Sequence, residues 1–251
     1  MFFVIAQQKS GVGKTTTAAN LAALLARQGR RTLVVDTDPQ FALTRQLGLE
    51  VRRLGVNLVD VLAGRAAAAD AIVAGVHGLD VIPAARELAG VEMSLVGELG
   101  REMFLRDALE PLRDAFEHVV IDTPPNLGLL TVNALVCADR VLAPVSAEDE
   151  ASLHGIVELQ QTIARLTKRL GVPTPDLIAL LTRWQRHRIS SREMQEALIA
   201  EGLAPLGRIP SRAALIARAA GRTVPLALSE PDSSPALAYT HLAETLQEVR
   251  A

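Results

Sequence analysis

The chain has 251 residues with 26 Lys and Arg against 28 Asp and Glu, a formal net charge of −2, and is 49% hydrophobic. It is long enough to bury a substantial core, and its near-neutral charge excludes a global basic field, so contact with nucleic acid or membrane must come from a local patch. One cysteine, Cys137, excludes an internal disulfide framework, and the lack of a signal peptide or a run of eighteen apolar residues predicts a cytoplasmic protein.

The first element is the apolar strand "FFVIA" (2–6), which runs straight into "QQKSGVGKTTT" (7–17). A helix over about 14–28 follows, with Ala18, Leu21, Ala22 and Leu25 on one stripe and Gly29 as its stop. "TLVVD" (32–36) is the second strand. The stretch "AGRAAAADAIVAG" (63–75) is alanine-rich, and its helix propensity argues against disorder. "LDVIP" (79–83) reads as a strand, whereas Ala84 to Phe116 has no strand signal and is expected to form one or two helices. Further strands are "HVVID" (118–122), "RVLAPV" (140–145), "LIALL" (177–181) and "LGRIP" (206–210). A turn-rich "LSEPDSSPALAY" (228–239) leads to a last helix ending at Ala251. Most of these strands are continuously apolar, as strands covered on both faces are. The pattern predicts an α/β fold with a mostly parallel, twisted sheet and helices on both faces, as one domain over 1–251.

The loop after the first strand joins a buried strand to a helix N-terminus, where free N–H groups gather. Gly11 and Gly13 let the backbone curl until those groups converge on phosphate oxygens. Lys14 can then reach β- and γ-phosphates, and the Thr15 hydroxyl can ligate Mg²⁺. The usual pattern G-x-x-x-x-G-K-[ST] nevertheless fails, because Gln8 stands where its first glycine belongs. The chain has 23 arginines and only three lysines, Lys9, Lys14 and Lys168. Two of the three therefore lie in this loop, which points to positions where a compact ammonium works and a guanidinium does not. "VVDTDPQ" (34–40) and "VVIDTPP" (119–125) bring Asp36, Asp38 and Asp122 to strand C-terminal ends, where ligands of open parallel sheets bind. Asp122 is the expected Mg²⁺-side carboxylate, with Asp36 and Thr15 as further metal candidates. Asp36 and Asp38 are expected to point to opposite sides of the extended strand, so that only one faces the nucleophile if the strand persists.

"KSGVGKTT", "VVDTDPQ" and "VVIDTPPNLG" resemble the deviant Walker A, second-strand and Walker B motifs of ParA-type partition ATPases, a branch of the ParA/MinD group of P-loop NTPases. "LTVNALVCADRVLAPVSAEDEASLHG" continues the pattern and "GRIP" resembles its late strand, so the similarity runs from Met1 to about Gly171 and more weakly beyond. The resemblance implies an ATP- and Mg²⁺-dependent switch: a homodimer with ATP sandwiched between subunits, slow in hydrolysis alone and stimulated by a ParB-type partner and DNA. By the same resemblance Lys9 reaches the partner subunit's nucleotide, and Ser10, Gly11, Val12, Gly13, Lys14, Thr15 and Thr16 hold phosphates and metal. Asp38 positions the attacking water, Asp122 is the Walker B carboxylate, and the segment from Pro210 contacts adenine. The family usually has glycine at the position of Ser10. After Asp122, "TPPNLG" (123–128) is placed to couple γ-phosphate loss to the dimer surface.

Relatives with other functions fit less well. An iron–sulfur reductase needs cluster cysteines that Cys137 alone does not supply. A MinD-type protein ends in a membrane-binding helix with bulky apolar and basic residues, whereas "YTHLAETLQEVRA" is nearly neutral and reads as a packed helix. Small-molecule ligases with a similar loop are disfavoured by the switch region. From Arg183 to Arg222, eight arginines face only Glu193, Glu196 and Glu201, giving +5 in a chain whose remainder is −7. Arg183, Arg186, Arg188, Arg208, Arg212, Arg218 and Arg222 are therefore the candidates for DNA phosphates. The bland alternative is scattered arginines paired with local carboxylates. With no extension before the first strand, non-specific binding by a nucleoid-associated protein is expected, and membrane contact is not. A surface-positioning ATPase that does not use DNA is the alternative.

Overall fold

The computed structural model describes residues 1–248. Its strands are β1 (Phe2–Ile5), β2 (Thr32–Asp36), β3 (Val73–Val76), β4 (Leu79–Ile82), β5 (His118–Asp122), β6 (Arg140–Ser146), β7 (Asp176–Trp184) and β8 (Gly207–Pro210). They form one sheet in the order β3-β4-β2-β5-β1-β6-β7-β8. Every neighbouring pair is parallel except β3 with β4. Parallel neighbours need crossovers, which the helices supply, and the sheet is thereby covered on both faces. Alternation along β1 shows the division: Phe2 and Val4 join one buried cluster, Phe3 and Ile5 the other.

The first helix, Lys14–Arg27, buries Ala18, Leu21, Ala22 and Leu25 as its stripe requires, but also Thr17, Asn20 and Leu24. A second layer explains this. The last helix, Ser234–Glu248, lies over it, with the Tyr239 hydroxyl 3.1 Å from Thr17 Oγ1. Asn20 Oδ1 accepts from the Ala227 N–H at 2.7 Å. Gly29, at φ 80, closes the first helix, its N–H donating to the Ala26 carbonyl. The last helix buries Tyr239, Leu242, Ala243 and Leu246 against the core; its expected end at Ala251 lies outside the described residues. Among the described residues no helix is long and apolar enough to cross a membrane.

The alanine-rich stretch is ordered but is not a regular helix. Its only helical part is a 3₁₀ turn, Ala68–Ala71, followed by β3. β3 and β4 form a hairpin across His77 (φ 54) and Gly78 (φ 84), the two positive φ values that a two-residue hairpin loop demands. The "HG" dipeptide between valine and leucine carries that signal. Residues 84–116 form helices Leu88–Leu95 and Phe104–Leu109 with a further 3₁₀ turn at Glu110–Leu112, and no strand.

Candidate nucleotide site

β1, β2 and β5 end side by side, with Ile5 in register with Asp122 and Asp122 with Asp36. Short bonds fix these ends: the Thr37 hydroxyl donates to the Asp122 carbonyl at 2.7 Å, and the Thr123 hydroxyl to the Ile5 carbonyl at 2.8 Å. The loop from β1 to the first helix curls at Gly11 (φ 70) and Gly13 (φ 97). Ser10 is not in the left-handed region, so serine here carries no backbone strain. Gln8, in place of the usual glycine, ties the loop outward through its side-chain amide to Glu158. Gln7 is buried, its amide donating to the Ser152 carbonyl at 3.0 Å and its oxygen accepting the Gln8 N–H at 2.9 Å.

Lys14 lies at the mouth of this loop, buried, with Nζ donating to the Lys9 carbonyl at 3.2 Å. Burial lowers its pKa, while the charges of Asp122 and Asp38 pull it back up. The Thr15 hydroxyl donates to Asp122 Oδ2 at 2.7 Å. Asp122 Oδ1 is buried and has no hydrogen-bond partner among the described residues. Burial, then the nearby Asp36 charge, push the Asp122 carboxyl well above the usual carboxylate range. An orphaned carboxylate oxygen beside a hydroxyl is the environment a hard cation relieves. Among the described residues no three His, Cys, Asp or Glu side chains group as metal ligands. A cation here must complete its shell with water and phosphate oxygens, as Mg²⁺ does.

Alternation does not separate Asp36 from Asp38, since residues two apart in a strand share a face. β2 ends at Asp36, and Asp38 lies beyond it. Asp36 Oδ2 accepts from both the Thr44 N–H (2.9 Å) and the Thr44 hydroxyl (2.8 Å), and Oδ1 from the Asp38 N–H (3.1 Å). Both oxygens are thus spent on shaping the turn, and burial raises the group to about 6. Asp38 spends Oδ1 on the Gln40 N–H at 2.8 Å and lies at the edge of the site. The geometry favours Asp122 over Asp36 as the metal-side carboxylate. Lys9 does not join Lys14; its ammonium lies half-exposed, 3.2 Å from Asp149 Oδ2.

Beside the loop opens a cleft of about 330 Å³, lined by Val12, Thr16, Thr182, Pro210, Ile216 and Tyr239 among others. Pro210, which the resemblance assigns to adenine, lines this cleft. Thr182, whose hydroxyl donates to the Val12 carbonyl at 2.8 Å, and Tyr239 were not foreseen. For Tyr239 the available signal is rarity, since it is the only tyrosine in the chain; nothing in the sequence marks Thr182. The arginine set does not act as one group. Arg218 and Arg222 pair with Glu230, Arg188 with Glu148 at 2.6 Å, and Arg208 with Gln195 and the Trp184 ring. Arg183 turns to the loop itself. Arg186, Arg192 and Arg212 make no ion pair among the described residues. For five of the seven candidates, local pairing competes with a phosphate-binding role.

A parallel sheet whose first strand enters a glycine-curled loop, a helix-opening Lys-Thr and a facing strand-end aspartate defines a P-loop NTPase. Residues 2–173 match the family model described as an AAA domain. The chain is 42% identical over 193 residues to the chromosome partitioning protein ParA of Caulobacter vibrioides, covering 76% of this chain and 72% of that protein. A solved structure described as cobyrinic acid a,c-diamide synthase from Mycobacterium smegmatis, with bound ATP analogue and magnesium, is 34% identical with TM-score 0.85. It covers 98% of this chain and 94% of that one. The cell division ATPase MinD of Pyrococcus furiosus is 25% identical with TM-score 0.82, covering 99% and 98%. The chain belongs to the ParA/MinD family of P-loop ATPases.

Proposed function

We propose that this positioning ATPase is an ATP-driven dimerisation switch, a single ATPase domain that in its ATP state binds DNA without sequence preference and moves a chromosome, plasmid or other cargo. The observation that carries it is the split between the two loop lysines. Lys14 is buried beside Asp122 in its own site, while Lys9 points outward to the surface at Asp149, free to serve a second copy. ATP and Mg²⁺ are its cofactors. Loop N–H groups from Ser10 to Thr16 and the Lys14 ammonium hold the phosphates, and Thr15, with Asp122 acting through water, holds the metal. A Mg²⁺ held by these residues would supply neutralisation of the charge developing on the phosphates during transfer. Asp38, with one oxygen uncommitted, orients the attacking water. In-line transfer needs mainly positioning and charge compensation, so this set suffices for slow turnover that a ParB-type partner accelerates.

Arg186, Arg192 and Arg212 are the arginines best placed to meet phosphates, and dimerisation doubles their number. A salt-titrated DNA-binding assay with ATP, ADP and no nucleotide tests the proposal. Binding that requires ATP and weakens steeply with salt is expected; no binding at low salt with ATP overturns the DNA reading and favours a protein- or membrane-surface positioner. The similarity to the Mycobacterium smegmatis diamide synthase raises amide synthesis as a further outcome. Cys137, the one thiol, is buried, bonded to the Asn133 carbonyl and pushed up to about 12, so it is no nucleophile for releasing ammonia from glutamine. ATP consumption that requires a small carboxylic acid and an amine donor would replace the switch.

A further inference from the structure

β7 and β8 pair at Leu181 with Arg208, then slip so that Trp184 meets Pro210. Two residues of β7, Thr182 and Arg183, therefore stand against Ile209 alone, which is a bulge. Arg183 takes the left-handed conformation (φ 53), a backbone state that arginine adopts only where its surroundings enforce it. In a regular strand, neighbouring side chains point to opposite faces. Here both fall on consecutive carbonyls of the phosphate loop: Thr182 Oγ1 on Val12 at 2.8 Å and Arg183 Nη2 on Gly11 at 2.9 Å. Bulges next to active sites re-aim side chains in this way.

The partners of Arg183 decide what it can bind. Its Nη2 is committed to the Gly11 carbonyl, and Nη1 lies 3.8 Å from Glu148 Oε2. Glu148 also pairs with Arg188 at 2.6 Å, so Arg183 keeps much of its charge, but its two terminal nitrogens are directed at Gly11 and Glu148 rather than outward to a phosphate. What a committed guanidinium still offers is its flat face, which stacks on aromatic rings. Arg183 lines the same cleft as Pro210, Ile216 and Ala217, whose apolar surfaces suit the other side of a ring.

We propose that Arg183 is a specificity-determining residue of the nucleotide site, forming the wall on which the purine base of ATP stacks opposite Pro210 and Ile216. The proposal rests on the ATPase reading. It is tested with Arg183→Asn, since asparagine tolerates the left-handed backbone, and with Arg183→Lys, which keeps charge but has no plane. Affinities for Mg-ATP and Mg-UTP are measured by displacement of a fluorescent ADP. Both variants are expected to weaken ATP roughly tenfold and UTP by less than about twofold, eroding purine preference. Equal weakening of the two nucleotides would assign Arg183 to the phosphates or to loop shape. Rescue by lysine would reduce it to a charge. Unchanged nucleotide affinity, with or without a DNA defect, overturns the proposal. Failure of the wild-type chain to bind ATP would instead overturn the ATPase reading itself.

Discussion

Asp122 is held in a state that folding alone would not choose. Its Oδ1 is buried without a partner among the described residues, and its carboxyl is raised by burial and by Asp36. Asp36, at about 6 against an ordinary 3.8, is shifted the same way. The folded chain therefore keeps protons that the unfolded chain has released between about pH 4 and 6, and stability falls as pH rises through that window. Asp122→Asn removes one buried charge while an amide oxygen still accepts from Thr15. In the nucleotide-free protein at neutral pH it is expected to raise Tm by about 3 °C or more, flatten the pH dependence and abolish Mg²⁺-dependent hydrolysis. Calorimetry from acid to neutral pH checks this; a lowered Tm would show that the ionised carboxylate stabilises the fold. Asp38→Ala is expected to retain ATP, accumulate dimer and lose hydrolysis by at least ~100-fold. Wild-type turnover by that variant would remove Asp38 from water positioning. At this scale the sequence was legible where spacing brings residues together, as with Lys14, Thr15 and Asp122, which the fold gathers at one place. It was silent on the division between Asp36 and Asp38, because the Thr44 bonds that occupy Asp36 depend on how the chain turns after β2.

The element that braces the loop is the helix Ala151–Leu170, which meets it through buried Gln7. A Cβ at Gly155 would collide with the Gln7 amide, whose atoms already hold Ser152 and the Gln8 backbone. Gly155→Ala is therefore expected to cost about 1–3 kcal/mol of stability despite alanine's better helix propensity. It should also weaken ATP binding by displacing residues 7–9. Denaturant unfolding with and without Mg-ATP measures both; a more stable variant with normal affinity would show that Gln7 moves aside freely. Strands were the most readable elements, because apolar runs such as "TLVVD" and "HVVID" are dictated by burial on both faces; both match β2 and β5 from end to end. β3 escaped because Val73–Val76 is half exposed and contains Gly75, so neither periodicity nor hydrophobicity marks it. The bulge at Thr182–Arg183 escaped for another reason: it is set by register against β8, a property of two segments that neither reveals alone.

Across the whole molecule, the lysine distribution points to assembly. Lys9 is half-exposed and, among the described residues, paired only with Asp149, a contact of the strength typical of surface ion pairs, so its release costs little. Lys9→Arg is expected to leave monomeric ATP binding near wild type and to impair ATP-dependent dimerisation, read by sedimentation with Mg-ATP. Normal dimerisation would return Lys9 to an ordinary surface charge. The charge asymmetry was visible in composition, but its use was not, because only the folded chain brings Glu148 and Glu230 against four of the arginines. The two borders of the sheet add a constraint of their own. One is β3, four residues with irregular pairing and a left-handed glycine; the other is β8, four residues ending in a proline that has no N–H to offer. Neither border presents a straight row of donors and acceptors to a neighbouring chain. Copies of this protein are thus discouraged from joining their sheets edge to edge, and association is left to the surfaces where loops and helix ends meet, which makes it reversible by whatever occupies them.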